Sequence, residues 1–276
     1  MGTLPASDKY IALYLVALLQ QGSTCHVVES VLYSIRWFHE IKGYPDPTCS
    51  LSRNMLECAK RIAKPLRKPK EPLTPAMLRS IYNTMDTSNL LHFRKFVLLL
   101  ISYAGFLRFD EASNLRKGDF TFYHTHMTIF LEKSKTDQYR DGRTLVISRV
   151  PSDICPVYNM LQYFRMAKLS TDDSFIFRPL VRSRCPFLYK TTKINRSLSY
   201  TTCRLNLIEV ISKIGLDPKK FGLHSARSGG ATWAANAGVP DRLFKRHGRW
   251  VSESAKDSYV KDNLDSLIRV TQNLGL

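Results

Sequence analysis

Acidic residues are scarce in this sequence. Its 276 residues hold 23 Asp+Glu against 41 Lys+Arg, a formal net charge of +18. Such an excess repels itself in a compact state unless a polyanion or counterions screen it. Nucleic acid is the polyanion that suits it, because neutralised phosphates release condensed counterions. Zinc-ribbon spacing is also lacking: the six cysteines, at 25, 49, 58, 155, 185 and 203, form no Cys-x-x-Cys pair, and they read as reduced thiols of an intracellular protein. The opening MGTLPASDKY has neither the positive n-region nor the small-residue cleavage site of a secretory signal. No apolar run reaches the ~20 residues of a membrane span. The longest, Phe96 to Leu107, is interrupted by Ser102 and Gly105. There is no internal repeat, no low-complexity tract and no carboxylate cluster of the kind that holds Mg²⁺ in two-metal nucleases. What remains is a soluble, basic chain, 44% hydrophobic, long enough for one large or two modest domains.

Periodicity predicts a mainly α protein. IALYLVALLQ has helical apolar spacing and ends before Gly22; Ser23 or Thr24 caps a second helix, HVVESVLYSIRWFHEIKG, with Val27, Val31, Ile35 and Phe38 as its stripe. A third helix runs from about Leu51 to Ile62. The stretch KPLRKPKEP, residues 64–72, mixes Pro with Lys and Arg and reads as an interdomain linker. The expected division is a small all-α domain over 1–65, a basic linker over 66–73 and an α+β domain over 74–276. In the last, helices are expected over 75–85, 89–105 and 109–117. The period then changes: MTIFLEK and RTLVIS flank KTDQYRDG, whose Asp141-Gly142 is a turn signal, so a β-hairpin forms with a strand near Phe120–Tyr123 beside it. Helices return at 152–168, 199–214, 224–237, 240–248 and 252–260.

The chemistry-bearing groups concentrate at the carboxyl end, in HSARSGGATWAANAGVPDRLFKRHGRWVSESAKDSY. His224 and Arg227 are three apart, on one helical face. Trp250 and Tyr259 follow on later short helices, Ser252 serving as an N-cap. Arginine is always charged and bidentate, which suits the non-bridging oxygens of a phosphodiester. A second arginine is available at Arg108, with Glu111 one turn on to orient a guanidinium.

This ordered set resembles the tyrosine recombinases, the phage-integrase and Xer-like family carried by mobile elements. The family pattern is Arg-x-x-Glu, a lysine on a β-hairpin, His-x-x-Arg, a later His or Trp, and a nucleophilic Tyr. It maps onto Arg108 and Glu111, Lys135 in SKTD, His224 and Arg227, Trp250, and Tyr259. The first helical part resembles the family's core-binding (SAM-like) domain, though it is shorter by a helix, which points to a missing upstream piece. KEPLTPAML resembles the start of the catalytic domain. One departure stands out: most members have histidine where this chain has Trp250. Gly-Arg-Trp is similar to the version in eukaryotic mobile elements. Indole donates one hydrogen bond but cannot exchange a proton as imidazole does. His247 is the other candidate, but its spacing to Tyr259 breaks the pattern.

The resemblance implies a site-specific recombinase or integrase that cuts and rejoins DNA through a 3′-phosphotyrosine, needing neither metal, other cofactor nor ATP. Tyr259 attacks, Arg108 and Arg227 hold the non-bridging oxygens, and Lys135 protonates the leaving 5′-oxygen. His224 assists the proton transfers, Trp250 buttresses the pocket and Glu111 orients its neighbours. Lys133 and Arg140 are other candidates for the general acid. His124 and His126 share a strand face, but no third metal ligand is evident. Phosphate-backbone contacts are expected from Lys64, Arg67, Lys68 and Lys70 in the linker, and from Arg182, Arg184, Lys190, Lys193 and Arg196 in a later basic loop. The implied partner is double-stranded DNA, with a dimer on each site and a tetramer in synapsis, and no membrane. The implied location is intracellular, in the nucleus or a bacterial cytoplasm. Leu264, Leu267, Ile268 and Leu274 in the tail either pack on their own chain or dock on a neighbour. A type IB topoisomerase-like enzyme, a DNA-binding remnant that no longer cuts, and an unrelated basic RNA-binding protein are the competing readings.

Overall fold

The computed structural model describes residues 4–62, 69–132, 142–169, 171–183 and 189–274. The chain forms two compact units, residues 1–68 and 69–276.

Among its described residues the first unit has three helices: α1 (Asp8–Gln20), α2 (Cys25–Ile41) and α3 (Ser50–Ile62). Thr24, in extended conformation, precedes α2. Ile11 and Leu15 of α1, Val28 and Leu32 of α2 and Ala59 of α3 form the core. The stripe that α2 turns inward differs from the expected one. Val31 and Ile35 pack against that core, but Val28, Leu32 and His39 are the buried residues, while Val27 and Phe38 are exposed. Neighbouring residues differ by about 100° around a helix, so a stripe placed one residue off faces the solvent. His39 is fixed in place: Nδ1 lies 2.8 Å from the Ile35 carbonyl and Nε2 accepts from the Ala6 amide at 3.0 Å.

The second unit is built around α5 (Leu90–Ala104), which is buried along most of its length, from Phe93 through Ser102. Its run Phe96–Ile101 is apolar on every side, which belongs at the centre of a core. Its Asn89 cap accepts from the Leu91 amide at 2.9 Å. Before it, α4 (Pro75–Thr84) opens on Pro75, with Thr74 Oγ1 accepting from Met77 N at 3.2 Å. After it come α6 (Phe109–Ser113) and a 3-10 turn at Lys117–Asp119. The helix expected to run to 117 is therefore shorter. The Asn114 side chain donates to the Asp110 carbonyl at 2.8 Å and closes it.

The strands β1 (Phe120–Phe122), β2 (His126–Leu131) and β3 (Arg143–Ser148) make an antiparallel sheet. Phe120 pairs with Ile129 and Ile129 with Leu145. Met127, Ile129 and Leu131 alternate inward with Leu145 and Ile147, the period-two pattern of a sheet with one covered face. The hairpin's tip, 133–141, falls outside the described residues. Then come α7 (Pro156–Ala167), a two-stranded pair β4 (Leu180–Arg182) and β5 (Tyr189–Thr191) that periodicity did not signal, and α8 (Tyr200–Lys213).

The carboxyl end holds α9 (Ser225–Asn236), α10 (Asp241–Gly248), α11 (Glu253–Asp257) and α12 (Leu264–Gln272). Gly229 and Gly230 sit inside α9 because backbone crowds them. A β-carbon on Gly229 would run into the Leu73 carbonyl, and one on Gly230 into that of Tyr103. Residues 71–73 belong to this unit: Glu71 N donates to the Lys220 carbonyl, Leu73 N donates to that of Ser225, and Leu73 is buried. The apolar residues of α12 and its tail, Leu264, Leu267, Ile268 and Leu274, are exposed. Among the described residues, no helix is long and apolar enough to cross a membrane and no group of three His, Cys, Asp or Glu is gathered to hold a metal.

Candidate active site

The site begins where α5 ends. Gly105 caps the helix and Phe106 turns the chain with a left-handed φ of 46°. A non-glycine residue held there costs on the order of 1–3 kcal/mol and needs its surroundings to hold it. Two arginines do so. Arg227 Nη1 donates to the Phe106 carbonyl, and Arg249 reaches the Gly105 and Phe106 carbonyls at 3.1 and 2.9 Å.

The turn leads into α6, with Arg108 as N-cap and Glu111 three residues on. Glu111 Oε2 accepts from the Arg108 amide and Oε1 from Arg108 Nη1, both at 2.8 Å. Oε2 also accepts from Arg249 Nη2 at 2.8 Å, while Arg227 Nη1 stands 3.8 Å away, beyond hydrogen-bond range. Burial by itself would raise the pKa of Glu111. The charge of Arg249, the Arg108 amide, and the charges of Arg108 and Arg227 outweigh it and hold the carboxyl below its ordinary value. Glu111 is thus ionised at neutral pH, and three guanidiniums share one carboxylate. Three positive charges against one negative leave two uncompensated.

Arg227 is fully buried. Its Nη2 donates to the Gly248 carbonyl at 2.8 Å, and its guanidinium carbon lies 4.7 Å from the Tyr259 ring centre and 5.0 Å from that of Trp250. Burial, then the charges of Arg108 and Arg249, push its pKa down, although a guanidinium starts so high that it stays protonated. His224, the N-cap of α9, is only partly covered by the protein. That partial burial, then the charges of Arg227 and Arg108, lower its pKa against the pull of Asp110 and Glu111, so the imidazole is neutral at pH 7.

Trp250 is buried against Phe106, Phe244 and Tyr259, with ring centres 6.0, 4.9 and 5.8 Å away. Its indole Nε1 has no hydrogen-bond partner. The ring lies over Gly248, where any β-carbon would occupy the same space. His247 is engaged elsewhere, Nε2 lying 2.8 Å from the Ala104 carbonyl and its ring set edge-on to Phe106. Tyr259 does not ride on the expected helix over 252–260. The helix stops at Asp257 and Tyr259 follows in a turn, its amide bonded to the Lys256 carbonyl. Two hydroxyls of α9, Ser228 at 2.8 Å and Thr232 at 3.2 Å, donate to the Tyr259 carbonyl and hold the turn against Arg227.

Arg108, Glu111, His224, Arg227, Trp250 and Tyr259 thus gather in one cluster. Lys135, with Lys133 and Arg140, falls outside the described residues, as do Lys64, Arg67, Lys68 and Arg184. Arg182, Lys190, Lys193 and Arg196 are exposed around β4 and β5. Lys70 is also exposed, with Nζ donating to the Lys219 carbonyl of its own chain. Sequence reasoning missed Arg249, Ser228 and Thr232. Arg249 had one signal, a charged side chain directly after the glycine that ends α10; the two hydroxyls had none.

A cluster of this kind suits an anion with two acceptor oxygens, and it holds a phenol and a neutral imidazole as well. The fold around it has known counterparts. Residues 71–265 match the phage integrase family. An integrase/recombinase XerD homologue of Selenomonas ruminantium is 26% identical over 263 residues, covering 94% of this chain and 74% of that protein. Among solved structures, the Tn1549 transposon integrase in complex with transposon right end DNA superposes with a TM-score of 0.66 at 13% identity, covering all of this chain and 88% of that one. XerH recombinase bound to a palindromic difH substrate gives 0.62 at 14% identity, over 98% and 72% of the two chains. A lambda integrase dimer on a core site gives 0.59 at 16%, over 95% and 83%. The fold is that of the tyrosine recombinases, mainly helical with small antiparallel sheets. The chain belongs to the phage integrase family, enzymes that break and rejoin DNA strands.

Proposed function

We propose that the chain is a site-specific recombinase that cuts duplex DNA by attack of Tyr259 on the scissile phosphate. The observation that carries this reading is the cluster of half-buried Arg108 with buried Arg227 and Arg249 around Glu111, with two charges left over beside a tyrosine. Buried charges are costly unless matched. A phosphodiester brings one negative charge, and the pentacoordinate state formed when a phenolate adds to it carries two. The cluster is therefore matched more closely to the transition state than to the bound substrate, which is the condition for catalysis by differential binding.

In this mechanism Tyr259 Oη forms a bond to phosphorus as the bond to the 5′-oxygen breaks, leaving a 3′-phosphotyrosine and a 5′-hydroxyl. His224, neutral at working pH, takes the phenolic proton. Arg108 and Arg227 hold the non-bridging oxygens, and the unpartnered indole N–H of Trp250 donates to one of them. Lys135 delivers a proton to the leaving oxygen. Attack by the 5′-hydroxyl of another strand reverses the steps; the phosphotyrosine keeps the bond energy, so no ATP enters, and the arginines take the charge-stabilising part that a metal ion would play. Residues 1–65 act as the core-binding domain and residues from 74 onward as the catalytic domain, joined by the basic linker. Exposed Arg182, Lys190, Lys193 and Arg196 lie along the phosphate backbone. The relatives bound to DNA, and the net charge of +18, support duplex DNA as the partner and an intracellular, DNA-associated location. The exposed apolar residues of α12 support a homodimer on each site and a tetramer in synapsis.

The test is covalent capture in EDTA on labelled, nicked duplexes carrying the sequence that flanks the protein's own gene. A labelled protein band absent with Tyr259→Phe is expected. Tight, salt-sensitive binding without a band would leave a DNA-binding protein that does not cut.

A further inference from the structure

We infer that Arg249 is a positioning residue: by occupying Glu111 it keeps Arg227 off the carboxylate and available to the phosphate. The inference rests on the recombinase reading above and adds a residue to its site.

Arg249 is the C-cap of α10, with a left-handed φ of 56°, a place where glycine is the usual occupant. Its side chain is buried and donates to four acceptors: the carbonyls of Gly105, Phe106 and His247, and Glu111 Oε2. A strained, buried, charged residue is a poor choice for ending a helix. Its value lies in what it does to Glu111. The two lone pairs of Oε2 are filled by the Arg108 amide and by Arg249, and Oε1 takes Arg108 Nη1. Arg227, at 3.8 Å, is about 1 Å short of hydrogen-bond contact. It is held instead by the Phe106 and Gly248 carbonyls and by the faces of Trp250 and Tyr259. None of these neutralises it. Without Arg249 a lone pair opens on Oε2, Arg227 closes on it, and the charge facing the phosphate is withdrawn just where Tyr259 needs it.

Arg249→Gly tests this, because glycine supplies the left-handed turn while the side chain that occupies Glu111 is removed. Single-turnover capture on the nicked duplexes is measured beside DNA affinity. The expected result is a cleavage rate lower by about 10²-fold, an affinity changed by less than about threefold, and recovery of at least about tenfold of the rate by millimolar guanidinium, which fits the vacated space. A crystal structure of the variant is expected to show Arg227 in hydrogen-bond contact with Glu111. Cleavage at the wild-type rate would overturn the inference and leave the recombinase reading standing. A slow variant that guanidinium does not restore, with Arg227 unmoved, would reduce Arg249 to a packing role and also overturn it. Absence of any adduct from the wild-type protein would remove the recombinase reading and this inference together.

Discussion

The guanidinium of Arg227 lies over the Tyr259 ring, 4.7 Å from its centre, and 5.0 Å from the centre of the Trp250 ring, the two rings being 5.8 Å apart on the same flank of the guanidinium. The arrangement holds a permanent cation against the phenol and stabilises the phenolate that forms as its proton leaves. Cation–π contacts of this sort contribute about 0.5–2 kcal/mol, and the carbonyls of Phe106 and Gly248 fix the guanidinium plane at the same time. Lysine keeps the charge but cannot span two carbonyls and two rings. Arg227→Lys is expected to lose about 10²–10³-fold in covalent capture while binding DNA almost as tightly. Single-turnover gels beside mobility shifts check it; comparable losses in both would count against the role given to Arg227.

Trp250 presents a buried N–H with no partner, and leaving such a donor unpaired costs about 1–3 kcal/mol. A phosphate oxygen would satisfy it. Trp250→Phe removes the donor and keeps most of the packing against Phe106 and Phe244. Its capture rate is expected to fall about tenfold to a hundredfold, as befits one hydrogen bond, with little change in melting temperature. Trp250→Ala is expected to cost about 3–5 kcal/mol of stability through the cavity it leaves. A phenylalanine variant with the wild-type rate would show that the indole N–H takes no part.

Much of this cluster was legible in the sequence because its members are charged or aromatic residues at fixed spacings along structured segments. Arg108 and Glu111 are related by one helical turn, and so are His224 and Arg227. Several helix starts followed from apolar period and from caps such as Thr24 and Ser252. What stayed hidden depends on direction in space. Nothing in a linear pattern says that a left-handed residue after Gly248 turns its guanidinium inward, or that Ser228 and Thr232 meet the carbonyl of a residue about thirty positions later. The inward stripe of α2 was placed one residue off at Val27 and Phe38 because the segment is apolar on more than one side. The strands β4 and β5, three residues each, are too short for a period to show.

Gly248 ties stability to the site. Any β-carbon there meets the Trp250 ring, which is pinned by Phe106, Phe244 and Tyr259. Gly248→Ala is expected to displace the indole and to cost about 1–3 kcal/mol, as overpacking does. Urea denaturation reads the stability and covalent capture reads the displaced ring. Pairing the substitution with Trp250→Phe is expected to recover part of the loss, because the smaller ring leaves room. Full additivity of the two changes would place the clash elsewhere.

Glu111 makes stability depend on acid. Its pKa in the folded protein is lowered, since the arginines and the Arg108 amide outweigh the effect of burial. The unfolded chain therefore binds this proton more readily than the folded one, and stability rises with pH across that interval. The contribution is fully present above the unfolded glutamate value of about 4.3 and is lost as pH falls below that range, through the folded value. Glu111→Gln removes the ionisation and leaves two buried guanidiniums and the half-buried one of Arg108 with no carboxylate. Breaking a buried charge group in this way costs about 3–5 kcal/mol at neutral pH. The variant is expected to melt lower than the wild-type protein at pH 7, and the gap is expected to narrow as both are taken toward pH 3, because the unfolded wild-type chain then takes up a proton that the folded carboxylate resists. Calorimetry at stepped pH measures the gap directly. A gap that stays constant down to pH 3 would mean that Glu111 acts by shape and hydrogen bonding alone, and that the charge left over around it is smaller than three guanidiniums against one carboxylate imply.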